Sequence, residues 1–349
     1  MTSSRNRTSC HGTLRNRARN RALSTLSGAA LVTGLVAAPA SALTADTTAT
    51  TDTAGPAGAV RSDVGTAGIE CETAMGSDPF YPGESASQIY DDRYSRGAAV
   101  PYLDDGFTPQ GLGHWENWDG SGSDLLLVTA YKSGEHSRIY GIESGSGDHI
   151  GSVDIDEAHV GGIVVAGGWA FVPGDGSDRI RKYDLGELRT AMTEAGIPNL
   201  AQTGTSQPVP AASFLGSGGD TLYSGKFNET GRGYMHGYSI AGDGTLTQGT
   251  EYEVPKKTQG MTVAGGEFIY STSYGRTNRS NIYTVDEGAT DIDPSATCYR
   301  APSMSEGVTD HDGRLYVLYE SGSSKFTDPG PRNDIGHLHE ADVADAIDF

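Results

Sequence analysis

Residues Lys257 to Val285 read KTQGMTVAGGEFIYSTSYGRTNRSNIYTV, and this stretch decides the fold. It parses as a polar triplet ending in Gly, a strand, a GG turn, a second strand, a basic loop and a third strand. Thr129 to Ile142, TAYKSGEHSRIYGI, aligns without a gap on Thr272 to Val285, TSYGRTNRSNIYTV. The two share T-x-Y and I-Y around a loop of equal length, so the chain is read as repeats before anything else.

Five related starts recur: Pro109-Gln110-Gly111-Leu112, Val160-Gly161-Gly162-Ile163, Ala212-Ser213-Phe214-Leu215, Thr258-Gln259-Gly260-Met261 and Ser305-Glu306-Gly307-Val308. Aligned on the third residue they stand 51, 52, 46 and 47 residues apart. After each start come a Gly or Asp turn, an apolar strand, a polar loop and a further strand. Short strands in repeats of this size predict an all-β, five-bladed β-propeller of four-stranded blades, with solenoids as the alternative. The fifth repeat leaves little chain for its outer strand, so an N-terminal segment, Ala98 to Leu103, is expected to close the ring. Six blades result if the chain before Phe107 forms more than that one strand. One helix is expected, Leu188 to Ala195, stopped by Gly196 and Pro198.

Residues 1–42 combine six Arg, an apolar run and Ala40-Ser41-Ala42, the pattern of a Sec-type signal peptide. Residues 43–65 are rich in Thr, Ala, Asp and Gly and read as a disordered linker, leaving 66–349 as the propeller domain. The product is expected to be secreted, soluble and monomeric. The whole chain carries 25 basic and 45 acidic residues; without the six peptide Arg the balance is 19 against 45, or −26. That charge argues against nucleic acid and anionic membranes as partners. Cys10 lies in the peptide, so Cys71 and Cys298 remain. In an oxidising compartment they are most simply one disulfide, with two buried thiols as the alternative.

In such a ring, the loops entering the inner strands and following the second strands open on one face. That assigns Gln110, His114, His159, Gln259 and Glu306 to one rim, together with Lys132, Arg276, Arg279 and Lys325. Basic loops around one opening of an acidic protein suggest a funnel for an anionic glycan or small anionic ligand. Equally, these cations pair with Glu135, Asp178, Glu229 and Glu320 and bind nothing. A His and a Glu across a pocket supply a base and an acid, here His159 and Glu306, with Tyr274 as a further proton donor. Glu306 with the two Gln side chains also suits a divalent cation such as Ca²⁺ on the axis, and polar plugs are the structural alternative. Tyr131 and Tyr274 stack on a sugar or fill space between blades. No GxSxG, HExxH or GxxxxGK[ST] occurs, which weakens serine esterase, zinc protease and nucleotide enzyme readings.

Phe107-Thr108-Pro109-Gln110-Gly111-Leu112 resembles the FTQGL start of plant-type glutamine cyclotransferases, which implies five blades. The TQG and SEG starts are similar to those of lactonase-type propellers. That resemblance implies a divalent ion held on the axis by Glu306, Gln110 and Gln259. Together these features predict a secreted propeller enzyme, a lyase or hydrolase, acting on an anionic extracellular glycan, or else a non-catalytic module that binds cell-wall or matrix polymer.

Overall fold

The computed structural model describes residues 69–349; the expected signal peptide and linker lie outside them. A short helix α1 (Gln88–Arg93) and a strand β1 (Ser95–Ala99) come first. Blade one is β2 (Thr108–Trp115), β3 (Leu125–Tyr131), β4 (Ser137–Glu143) and β5 (His149–Ile155). Blade two is β6 (Val164–Ala166), β7 (Trp169–Pro173), β8 (Arg179–Asp184) and, after helix α2 (Leu185–Thr193), the two-residue β9 (Gln207–Pro208). Blade three is β10 (Phe214–Gly218), β11 (Thr221–Gly225), β12 (Gly233–Ile240) and β13 (Leu246–Val254). Blade four is β14 (Thr258–Ala264), β15 (Glu267–Thr272), β16 (Ser280–Asp286) and β17 (Thr297–Ala301). Blade five takes β18 (Ser305–His311), β19 (Arg314–Tyr319) and β20 (His337–Asp342) from the C-terminal end, with β1 paired outside β20. A final helix α3 (Val343–Ile347) follows. The protein is a five-bladed β-propeller with antiparallel blades.

The closing strand falls earlier than Ala98 to Leu103. Arg96 and Ala99 pair with His339 and His337, and the Val100 amide donates to Gly336. Pro101 then has no N–H to continue the ladder, and residues 101–106 turn toward β2. The expected helix also begins earlier, because Asp184 caps it by accepting from the Gly186 and Glu187 amides. Two more helices, α1 and α3, were too short to show a period in the sequence.

Two inner hairpins turn on glycine pairs, Gly167-Gly168 and Gly265-Gly266. Gly265-Gly266 links β14 to β15 with φ of 64° and 83°, the left-handed pair that a two-residue hairpin requires. Around the axis, glycine has a different use. A Cβ on Gly111 would lie 2.4 Å from the Gly162 Cα, one on Gly260 would lie 2.8 Å from the Gly307 Cα, and one on Gly307 would lie 2.4 Å from the Leu112 nitrogen. The Gly of the recurring start is therefore where neighbouring inner strands touch backbone to backbone. The third start has Phe214 at that place, and Gly216 takes over the role, 2.0 Å from the Met261 carbonyl oxygen by the same construction.

Apolar residues fill the wedges between blades. Tyr223, Tyr252, Phe268 and Tyr270 pack between blades three and four, and Leu126, Val128, Tyr140, Tyr316 and Leu318 pack between five and one. Cys71 and Cys298 form the expected disulfide, which ties the segment before α1 to β17, where Glu72 also bridges Tyr299. Such a bond belongs to an oxidising compartment. Among the described residues no helix is long and apolar enough to cross a membrane.

Replacing Gly307 by Ala should destabilise the protein by about 1–3 kcal/mol, the usual cost of overpacking a tight site. Gly242→Ala, where an added Cβ meets nothing within 4 Å, serves as the control in the same denaturant titration and should change little.

Candidate functional site

The upper mouth of the channel, where the inner strands begin, holds a cavity of about 620 Å³ lined by His159, Ser213, Phe227, Gln259 and Tyr274 among others. His159, Gln259 and Tyr274 are thus brought together as the repeat alignment implies. Beside them lies a polar cluster whose members come from blades one, four and five. Gln110, at the start of β2, donates its amide to Glu320 at 3.1 Å, and Gln259, at the start of β14, donates to Glu306 at 3.2 Å. Glu306 is 2% exposed, and the rest of its surroundings are protein.

Two carboxylates in one buried place cannot both ionise cheaply. Burial, reinforced by the charge of Glu320, pushes Glu306 well above the ordinary range, against a hydrogen bond from Ser273. Burial also raises Glu320, to about 7, although Lys325, Gln110 and Arg276 pull it down. The pair therefore favours holding a proton, and Glu320 titrates at about 7. His159 moves the other way. Water reaches its ring, yet the walls around it and the charge of Lys325 hold its pKa below the usual value, leaving neutral imidazole. Its ring lies 4.5 Å from that of Tyr131, whose hydroxyl accepts from the Lys325 ammonium at 2.7 Å. His159, Tyr131 and Lys325 form one contact chain, Gln110 and Glu320 form another, and the charge of Lys325 acts on Glu320.

The rim cations divide. Lys325 reaches the cluster from a 3₁₀ turn, Ser324–Phe326, in the loop between β19 and β20. Arg279 does not face the pocket freely: its guanidinium donates to the carbonyls of Glu84 and Ser85 and to the Asn333 side chain, fastening the N-terminal segment to the blade-five loop. Repeat spacing places Arg279 on the rim but cannot show that a distant segment crosses there. Lys132 is paired with Glu135 at 2.8 Å, and Arg276 donates to the Pro329 carbonyl at 2.8 Å and stacks on Phe326. Arg138 is buried against Asp154 at 2.7 Å, and Arg232 pairs with Glu253 and Asp293. The funnel of free cations is thus narrower than the composition of the loops implies.

His114 is not on this rim. Strand β2 runs from the upper mouth to the lower one, so four residues at roughly 3.3 Å each carry His114 about 13 Å past Gln110. It lines a second cavity of about 490 Å³ at the opposite mouth, with Trp115, Glu116, Gly218 and Asp310. Tyr274 is 42% exposed and packs beneath Lys257 beside Phe227, so it does not fill space between blades. Glu306, considered above as a Ca²⁺ ligand, has one oxygen on the Gln259 amide nitrogen, which leaves that oxygen less available to a cation. Glu320 and Phe227 were missed as site residues. The one available signal was an acid closing the otherwise apolar strand LYVLYE, and it reads as readily as a partner for loop cations.

No protein-family model matches the chain, and no curated protein matches it. Among solved structures it is similar to the glutaminyl cyclase of Myxococcus xanthus, at 9% identity and a TM-score of 0.44, over 72% of this chain and 95% of that one. It is also similar to CoXyl43, a GH43 β-xylosidase/α-arabinofuranosidase from a compost microbial metagenome, at 10% identity and a TM-score of 0.43, over 71% of this chain and 94% of that one.

The raised pKa of Glu320 has a consequence for stability. Folding takes up a proton between the unfolded value near 4.5 and the folded value of about 7, so stability falls as pH rises through that window. Glu320→Gln removes this contribution. Its Tm should match the parent below pH 4.5 and exceed it increasingly up to pH 7. A Tm difference that does not change with pH would show that Glu320 ionises normally.

Proposed function

We propose that the upper pocket is the active site of a general acid–base enzyme, a lyase or hydrolase, whose substrate is an anionic extracellular glycan. The observation that carries this reading is a cavity lined by His159 and Gln259, with Gln259 bonded to the buried Glu306, where burial favours a neutral imidazole and a protonated carboxyl. Neutral His159 is the base and the Glu306–Glu320 pair is the proton source, each in the protonation state its role needs at neutral pH. Lys325, whose charge acts on both His159 and Glu320, suits a substrate carboxylate, and Phe227 and Tyr274 offer rings for the face of a sugar. For a uronate, the base removes the proton next to the carboxylate while the acid protonates the departing oxygen. For hydrolysis, the same base activates water.

A second reading, a non-catalytic module that binds cell-wall or matrix polymer, is favoured by one feature. Gln259 lies on Glu306, so the acid has no free oxygen on that side.

Incubation with neutral and anionic polysaccharides, with and without Ca²⁺, separates the two by following reducing ends and new ultraviolet absorbance. Turnover of anionic polymers alone is expected. His159→Ala should then lower kcat by about 10²–10⁴-fold, and Lys325→Ala should act chiefly on KM. Full turnover in His159→Ala excludes it as the base, and salt-sensitive retention without product identifies the binding module.

A further inference from the structure

The lower mouth carries a second constellation that the proposed reaction does not use. His114, near the end of β2, and His311, at the end of β18, meet where blade one adjoins blade five, with ring centroids 5.3 Å apart. Glu116 follows β2 directly, and its Oε1 lies 3.9 Å from the His114 Nε2. One donor atom from each of these three residues lies within 4.8 Å of the others.

The hydrogen bonds around the rings point to an ion. His311 is 7% exposed, its Nε2 meets the Asp124 carboxylate at 3.2 Å, and its Nδ1 has no partner among the described residues. A buried imidazole nitrogen left unpaired is costly. His114 has its Nδ1 on the Thr309 hydroxyl at 3.3 Å, which leaves Nε2 free toward Glu116. Each ring thus has one nitrogen held by a neighbour and the other without a hydrogen-bond partner among the described residues. This is how metal-binding histidines are oriented, by a carboxylate or hydroxyl on the far nitrogen.

We propose that His114, His311 and Glu116 bind a first-row transition dication, with Zn²⁺ as the representative. Two imidazoles and one carboxylate exclude Ca²⁺ and Mg²⁺, which take oxygen ligands. Ligand atoms on tetrahedral Zn²⁺ stand roughly 3.3 Å apart, given Zn–N bonds of about 2.0–2.1 Å. The exposed Glu116 side chain closes the remaining distance. Three protein ligands leave a coordination position open to the lower cavity, which His114 and Glu116 also line. The ion would join the first blade to the last.

The test uses the untagged full-length protein stripped with EDTA, then titrated with ZnCl₂ in a calorimeter and, separately, with Co²⁺ in the visible spectrum. One equivalent of each is expected, with the Co²⁺ bands of a four- or five-coordinate ion. Asp124→Asn should weaken Zn²⁺ binding about 10–100-fold, and His311→Gln by at least as much. Glu116→Gln changes only an exposed side chain, so its loss of affinity is free of folding effects. No bound equivalent, or an equivalent kept in both His311→Gln and Glu116→Gln, overturns the proposal.

Discussion

Backbone contact between the five inner strands is the constraint on which the rest of this molecule depends. Five blades leave a narrow axis, and the strands beside it come so close that a single methylene at Gly111, Gly162 or Gly307 would overlap backbone atoms of the next blade. Large side chains are therefore pushed outward into the wedges between blades, aromatic ones such as Tyr223, Phe268 and Tyr270 between blades three and four and mostly aliphatic ones between five and one. The Gln and Glu side chains that flank these glycines gather at the channel mouth, where Gln110 meets Glu320 and Gln259 meets Glu306.

Closure is the second requirement, because an open ring would expose two sheet edges. The N-terminal segment meets it in steps. The Cys71–Cys298 bridge anchors it to blade four, α1 lays Tyr90 and Tyr94 on the buried hydroxyls of Tyr319 and Tyr299, and β1 completes blade five. His339, part of the alternating pair His337 and His339, is taken into this seam by the Tyr90 hydroxyl, and burial lowers its pKa to about 3. The same segment occupies Arg279, so the ring's closure and the electrostatics of its upper rim are linked.

Each inner strand serves two mouths. Gln110 and Glu306 open β2 and β18 at one end, and His114 and His311 finish them at the other. The upper end gathers carboxyls that favour a proton, and the lower end gathers imidazoles with lone pairs to give. Separation by the length of a strand keeps these two chemistries apart while one scaffold holds both rigid.

What the sequence determined by itself was the architecture. The recurring Gly, the GG turns and alternating apolar strands report local geometry, and local geometry is written in neighbouring residues, so five blades, their strands and the inward position of Gln110, Gln259 and Glu306 were all legible. The pairing of Cys71 with Cys298 was also within reach, since only two cysteines follow residue 42. Tertiary structure alone decided which charges are free. Arg279 is spent on a segment nearly 200 residues away, Glu320 becomes a titrating partner of Glu306, and His114 leaves the rim it was assigned to and meets His311. Those outcomes depend on burial and on contacts between distant parts of the chain, and a repeat pattern carries neither.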